Sequence, residues 1–219
     1  LLEEGREKSL SCNFLMICSG YYNYDKGYTP PIEGIENYRG TLVHPQHWPK
    51  DLEIDNKKIV VIGSGATAMT IVPNVAKQAS KVTMLQRSPT YVVARPDQDA
   101  IANFLRKWLP SKLAYSITRL KNTWLQSFMY KRMRAKPEEA KRNLIGMTRA
   151  ALNKEFDVKK HFTPSYYPWD QRLCLLPNGD LYESINQGRV EVITDTIDRV
   201  EETGILVSSG DFIEADIIV

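Results

Sequence analysis

Between Lys57 and Arg87 the chain runs through a β-branched stretch, a glycine turn, a helical stretch and a second apolar stretch. Val60-Val61-Ile62 predicts a short strand, and Val82-Thr83-Met84-Leu85 predicts another. Between them Gly63-Ser64-Gly65-Ala66-Thr67-Ala68 spells G-x-G-x-x-A, followed by a helix predicted from about Ala66 to Gln78. Each small residue has its own task. Gly63 permits the tight turn, Gly65 lets backbone N–H groups approach a pyrophosphate, and Ala68 lets helix and strand pack closely. The positive end of the helix then faces the phosphates. Strand, turn, helix and strand at this spacing predict an α/β, Rossmann-like dinucleotide site.

The end of the second strand selects the dinucleotide. An NAD site places an acid about 20 residues past the glycines, where it bonds the ribose 2′-hydroxyl. Here that place holds Gln86-Arg87-Ser88. An acid would repel a 2′-phosphate, whereas Arg87 can pair with it and Ser88 can donate a further hydrogen bond. The expected cofactor is therefore NADP(H).

Composition is that of an ordinary globular chain, 42% hydrophobic and 25% charged over 219 residues. No apolar run approaches the ~18 residues that span a bilayer. Cys12, Cys18 and Cys174 are few and scattered, which predicts no disulfide framework and a reducing, cytoplasmic setting. Cys12 and Cys18 fall in strand-like stretches and read as core. Positive charge concentrates between 101 and 160, with 15 Lys/Arg against 4 Asp/Glu. This block falls in a helical insertion expected from about 97 to 155. Leu113, Ile117, Leu120, Trp124 and Phe128 recur at helical spacing as one buried stripe, and Pro110 and Pro137 start or break helices. Lys131, Arg132, Arg134, Lys136, Lys141 and Arg142 form a basic face. It reads as a solvated face before an anionic surface, with peripheral membrane association left open and no nucleic-acid partner expected. Trp108, Trp124, Tyr166 and Tyr167 read as core packing before pocket lining. Residues 162–179 read as loop.

The two ends resemble one another. Glu3-Glu4-Gly5 turns toward Phe14-Leu15-Met16-Ile17-Cys18 and a small-residue turn at Ser19-Gly20. Glu201-Glu202-Thr203-Gly204 turns toward Ile205-Leu206-Val207 and Ala215-Asp216-Ile217-Ile218-Val219. Both read as a hairpin feeding a buried parallel strand. The expected organisation is an internal piece of a longer protein. Residues 1–35 and 201–219 are edges of a second nucleotide domain, split around a 36–200 unit.

Tyr38-Arg39-Gly40-Thr41-Leu42-Val43-His44-Pro45-Gln46-His47-Trp48-Pro49 precedes the glycine turn. It resembles the fingerprint F-x-G-x-x-x-H-x-x-x-W-[P/D] of the Baeyer–Villiger monooxygenases, with Tyr38 for the usual Phe. Gln86-Arg87-Ser88-Pro89 and Trp169-Asp170-Gln171-Arg172 extend the resemblance along essentially the whole chain. The resemblance implies an FAD domain split around an NADP domain, in a flavoprotein with two dinucleotide-binding domains. It also implies that NADPH and O₂ are used to insert oxygen into ketones or to oxidise thioethers. It makes Arg172 the catalytic arginine, a fixed cation for a water-poor site. A structural pairing of Arg172 with Asp170 is the plainer alternative. His44 and Trp48 map to the crossing between domains, where they couple cofactor binding to domain movement. His44 and His47 do not suggest a metal site. The rival readings are another flavin-dependent NADPH oxidoreductase, an N-hydroxylating enzyme, or a non-enzymatic basic module.

Overall fold

The computed structural model describes residues 2–3, 6–7, 9–20 and 23–219. Strands β1 (Leu2–Glu3) and β2 (Arg6–Glu7) pair antiparallel. The expected turn at Glu4-Gly5 lies outside the described residues. After these come β3 (Thr41–Leu42) and β4 (Lys58–Ile62). Helix α1 (Ala66–Val75) ends three residues earlier than predicted and carries Pro73 inside it. Next come β5 (Lys81–Gln86) and β6 (Tyr91–Arg95). The insertion folds as α2 (Ala100–Trp108), α3 (Ser111–Ala135) and α4 (Pro137–Ala151), with Pro110 and Pro137 at helix starts as expected. A single turn, α5 (Val158–His161), precedes β7 (Leu173–Pro177) and α6 (Asp180–Asn186). The chain closes with β8 (Val190–Thr194), β9 (Ile197–Glu201), β10 (Gly204–Val207), β11 (Phe212–Glu214) and β12 (Ile217–Ile218).

Five strands form a parallel sheet in the order β3-β12-β4-β5-β8. Alternation along the strands sends side chains to two cores. Ile59, Val61, Val82, Met84 and Ile217 join α1, α6 and the α4–α5 region on one face. Val60, Leu85 and Ile218 meet Val200, Ile205 and Ile213 of the antiparallel β9-β10-β11 meander on the other. Burial on both faces explains why these strands are almost wholly apolar. Each fully buried aliphatic side chain contributes roughly 1.5–3 kcal/mol. A separate parallel pair, β6 and β7, lies under the helical insertion.

Four expectations are corrected. Ile217–Ile218 does not return to a second sheet: it fills the gap between β3 and β4 in this one, because its Asp216 carbonyl and Ile218 carbonyl accept from Thr41 and Val43. Phe14–Cys18 forms no ladder among the described residues and is exposed, as are Cys12 and Cys18. Strand propensity needs a partner strand before it becomes a strand. Residues 162–179 contain β7, which the loop reading missed. The α3 stripe is also exposed: Leu120 is 73% and Trp124 64% accessible, and Ala114 is the buried residue of that helix. Periodicity identifies an apolar face and says nothing of what covers it. Trp124 stacks on Phe128 instead, rings 5.4 Å apart, and Trp108 is likewise exposed.

The fingerprint segment is a structural seam. Tyr38 is buried, and its hydroxyl donates to the Ala215 carbonyl at 2.9 Å. Gly40 lies under that ring: a Cβ there would meet the Tyr38 hydroxyl and stand 2.6 Å from the Asp216 carbonyl. An aromatic ring followed two residues later by glycine is thus what the seam requires.

Candidate functional site

The glycine turn sits at the carboxyl edge of the parallel sheet, between β4 and α1. Gly63 adopts φ +127°, a conformation closed to other residues, and its N–H donates to the Leu85 carbonyl at 2.7 Å. A Cβ on Gly63 would meet nothing, so conformation alone demands glycine here. Gly65 is the N-cap of α1 in extended backbone, and no side chain caps the helix. The first N–H groups of α1 have no intrahelical acceptor and point outward, which suits a phosphate. Ala66 and Thr67 are exposed, whereas Ala68 is buried against the sheet as its role requires.

The end of β5 lies beside this turn. Ser64 Oγ donates to the Ser88 carbonyl at 3.3 Å, which brings the turn and the selectivity segment together. Arg87 and Ser88 are exposed at that edge, and Arg87 makes no ion pair among the described residues. Gln86 departs from expectation. It is buried, and its amide donates to the His161 carbonyl at 2.7 Å and to Thr194 Oγ1 at 2.9 Å. Because β5 is buried on both faces, Gln86 stays inside the fold, where its amide ties β5 to α5 and β8 and is taken up by these partners instead of being offered to a ligand.

Arg172 lies against the cradle. A Cβ on Gly65 would collide with its Nη1. Its neighbour Asp170 is paired with Arg134 of α3, so the expected alternative of an Arg172–Asp170 pair is not formed. Arg172 is held through its backbone: its carbonyl accepts from the Tyr166 hydroxyl at 3.1 Å. Tyr166 is itself fixed by Thr90 at 2.9 Å and by Tyr91, whose hydroxyl donates to the Tyr166 carbonyl at 2.6 Å. Burial pushes the Tyr91 hydroxyl up to about 12, so it remains a donor. The guanidinium is exposed, so the described residues supply the cation but not a water-poor surround. Sequence reasoning missed Thr90, Tyr91 and Arg134. The apolar run after β5 signals a strand, but nothing in the sequence links Arg134 to Asp170.

The contacts of His44 and Trp48 are made with residues other than the two glycines of the turn. His44 Nδ1 accepts from Gln46 N–H at 3.2 Å, capping a short 3₁₀ turn, and its ring packs on Gly27. Trp48 is half-buried against the main core. His44 follows β3 at the same carboxyl edge where Gly63 follows β4, with β12 between the two strands.

The basic face is largely engaged: Arg132 and Lys136 pair with Glu139, and Lys141 donates to the Pro164 carbonyl at 2.7 Å. Among the described residues no cluster of three His, Cys, Asp or Glu could hold a metal ion, and no helix is long and apolar enough to cross a membrane.

The chain is similar to known proteins along almost its whole length. Residues 2–219 match the sequence profile described as flavin-binding monooxygenase-like. The chain is 52% identical over 216 residues to the FAD-containing monooxygenase EthA of Mycobacterium tuberculosis, covering 98% of this chain and 44% of that protein. It is 48% identical over 217 residues to EthA of Mycolicibacterium smegmatis, covering 99% of this chain and again 44% of the relative. The chain thus spans less than half the length of these relatives. Among solved structures, oxidized steroid monooxygenase bound to NADP superposes with a TM-score of 0.66 at 20% identity, over 88% of this chain and 44% of that one. An OTEMO complex with FAD and NADP superposes with a TM-score of 0.69 at 20% identity, over 97% of this chain and 47% of that one.

Proposed function

The chain belongs to the flavin-binding monooxygenase-like family, and we propose that it is the NADPH-binding part of an FAD-dependent enzyme of Baeyer–Villiger type. In this reading residues 36–200 hold the nicotinamide cofactor, and residues 1–35 are the edge of an FAD domain. The substrate is a ketone or a thioether, with O₂ as co-substrate.

The observation that carries the reading is Arg172 resting on Gly65 while Asp170 is occupied by Arg134. A cation that lies on a phosphate cradle, yet belongs to a different loop, can answer to both the cofactor and the reacting centre. The residues present fit the cofactor. The uncapped start of α1 would serve the pyrophosphate, Gly65 adds no side chain to obstruct it, and the exposed Arg87 and Ser88 beside the turn would take the 2′-phosphate. When bound, the nicotinamide would supply a hydride and the flavin would supply the oxygen-activating chemistry. Arg172 would hold its positive charge toward negative charge developing on oxygen, a role that suits the planar, delocalised guanidinium. Its backbone tether to Tyr166 fixes where that charge can reach.

The test is product analysis of the full-length protein with NADPH, O₂ and a simple ketone. Ester formation is expected. With Arg172→Ala, NADPH oxidation should continue as hydrogen peroxide release while ester is lost. Ester formation by Arg172→Ala at the native rate, with no added peroxide, overturns the assignment. A hydroxylamine from an amine substrate, without ester, would move the protein to the N-hydroxylating class.

A further inference from the structure

We propose that the space between α3, α4 and the β6–β7 pair is a binding site for a single-chain aliphatic carboxylate. The cavity measures about 740 Å³, within the range of small-molecule sites. Strand alternation creates its floor. Along β7, Cys174 and Leu176 point into the core, whereas Leu173 and Leu175 point into the cavity, leaving Leu175 56% exposed. From the helices come Leu125, Met129 and Met133 on one side and Met147, 54% exposed, on the other. Three flexible thioethers suit a ligand of variable shape.

Two further observations point to a ligand. Trp169, on the rim, holds φ +72°, a left-handed conformation that strains a bulky residue and is characteristic of ligand clamps. Its ring is fixed in place, with Nε1 donating to Met133 Sδ at 3.1 Å and its edge set against Tyr130 at 5.6 Å. A smaller hollow of about 200 Å³ shares Met129, Met133, Leu144 and Met147 with the main cavity. The four shared side chains are apolar and border both spaces, so a flexible chain can lie along them more readily than a compact ring system.

The head group follows from charge. Arg95 lines the cavity beside Asn122 and Gln126, is exposed, and has no ion-pair partner among the described residues. A carboxylate there would gain the one charge-assisted bond the lining leaves open, with the chain lying over Leu175 and the methionines. This inference does not rest on the monooxygenase reading, because binding needs neither NADPH nor turnover.

The test is calorimetric titration of the full-length protein, without NADPH, with octanoate, decanoate, dodecanoate and decanol below their aggregation limits. We expect one ligand per chain and affinity rising about fourfold per added methylene. Arg95→Gln should weaken the carboxylates about tenfold and leave decanol unchanged. Leu175→Trp should abolish binding of all four while NADPH affinity stays native; if it folds poorly, Met147→Phe takes its place. Absence of binding, affinity independent of chain length, or indifference to the cavity-filling variant overturns the proposal. Arg95→Gln lowering decanol and decanoate equally would overturn the assigned head group.

Discussion

Asp170 is bonded to Arg134, thirty-six positions upstream in α3, and not to Arg172 two positions away. The helical insertion thereby takes up the carboxylate nearest in sequence to Arg172, whose guanidinium has no ion-pair partner among the described residues. Removing Arg134 should release Asp170 to compete for Arg172. In Arg134→Ala, NADPH affinity and the yield of oxygenated product per NADPH should both fall severalfold. Adding Asp170→Ala should restore both. Additive losses, measured by fluorescence titration and product counting, would show the pair to be bystanders.

Gly65 has a backbone conformation open to alanine, so the fold should tolerate Gly65→Ala. The added methyl meets only the flexible end of Arg172, but it occupies the approach of the pyrophosphate. NADPH affinity should drop about tenfold or more, with the thermal midpoint almost unmoved. A midpoint lowered in step with affinity would instead place the effect in the fold.

Arg87→Ala tests cofactor choice. Losing charge-assisted bonds to a 2′-phosphate should weaken NADPH about ten- to hundredfold and leave NADH unchanged. An unaltered ratio of the two affinities removes Arg87 from the site.

At the seam, Gly40→Ala forces a methyl against the Asp216 carbonyl, which cannot move cheaply. A loss of about 1–3 kcal/mol in urea unfolding is expected. Tyr38→Phe keeps the ring and removes one buried hydrogen bond, costing about 1 kcal/mol.

Alkaline stability should report three buried hydroxyls. Burial pushes Tyr38, Tyr91 and Tyr182 each up to about 12, against about 10 in an unfolded chain. Between these values the folded state retains protons that the unfolded state releases, so stability is complete below pH 10 and falls from about 10 to 12. Tyr38→Phe should make that fall less steep, as followed by denaturant midpoints against pH.

The sequence by itself determined the units whose cause is local. Gly63 permits a tight turn, Ala68 packs closely between helix and strand, and Val60-Val61-Ile62 forms a short strand; all three hold as read. The prolines at 110 and 137 likewise mark helix starts by their own ring geometry. Tertiary structure decided whatever depends on a partner. Ile217–Ile218 became a central strand because β3 and β4 left a gap for it. Gln86, the last residue of β5, is drawn into the fold by His161 and Thr194, whereas Arg87, just past the strand end, is exposed. Neither the cover of the α3 stripe nor the partner of Asp170 is written in local spacing, because a side chain's periodicity fixes its direction while its neighbour is brought from elsewhere in the chain.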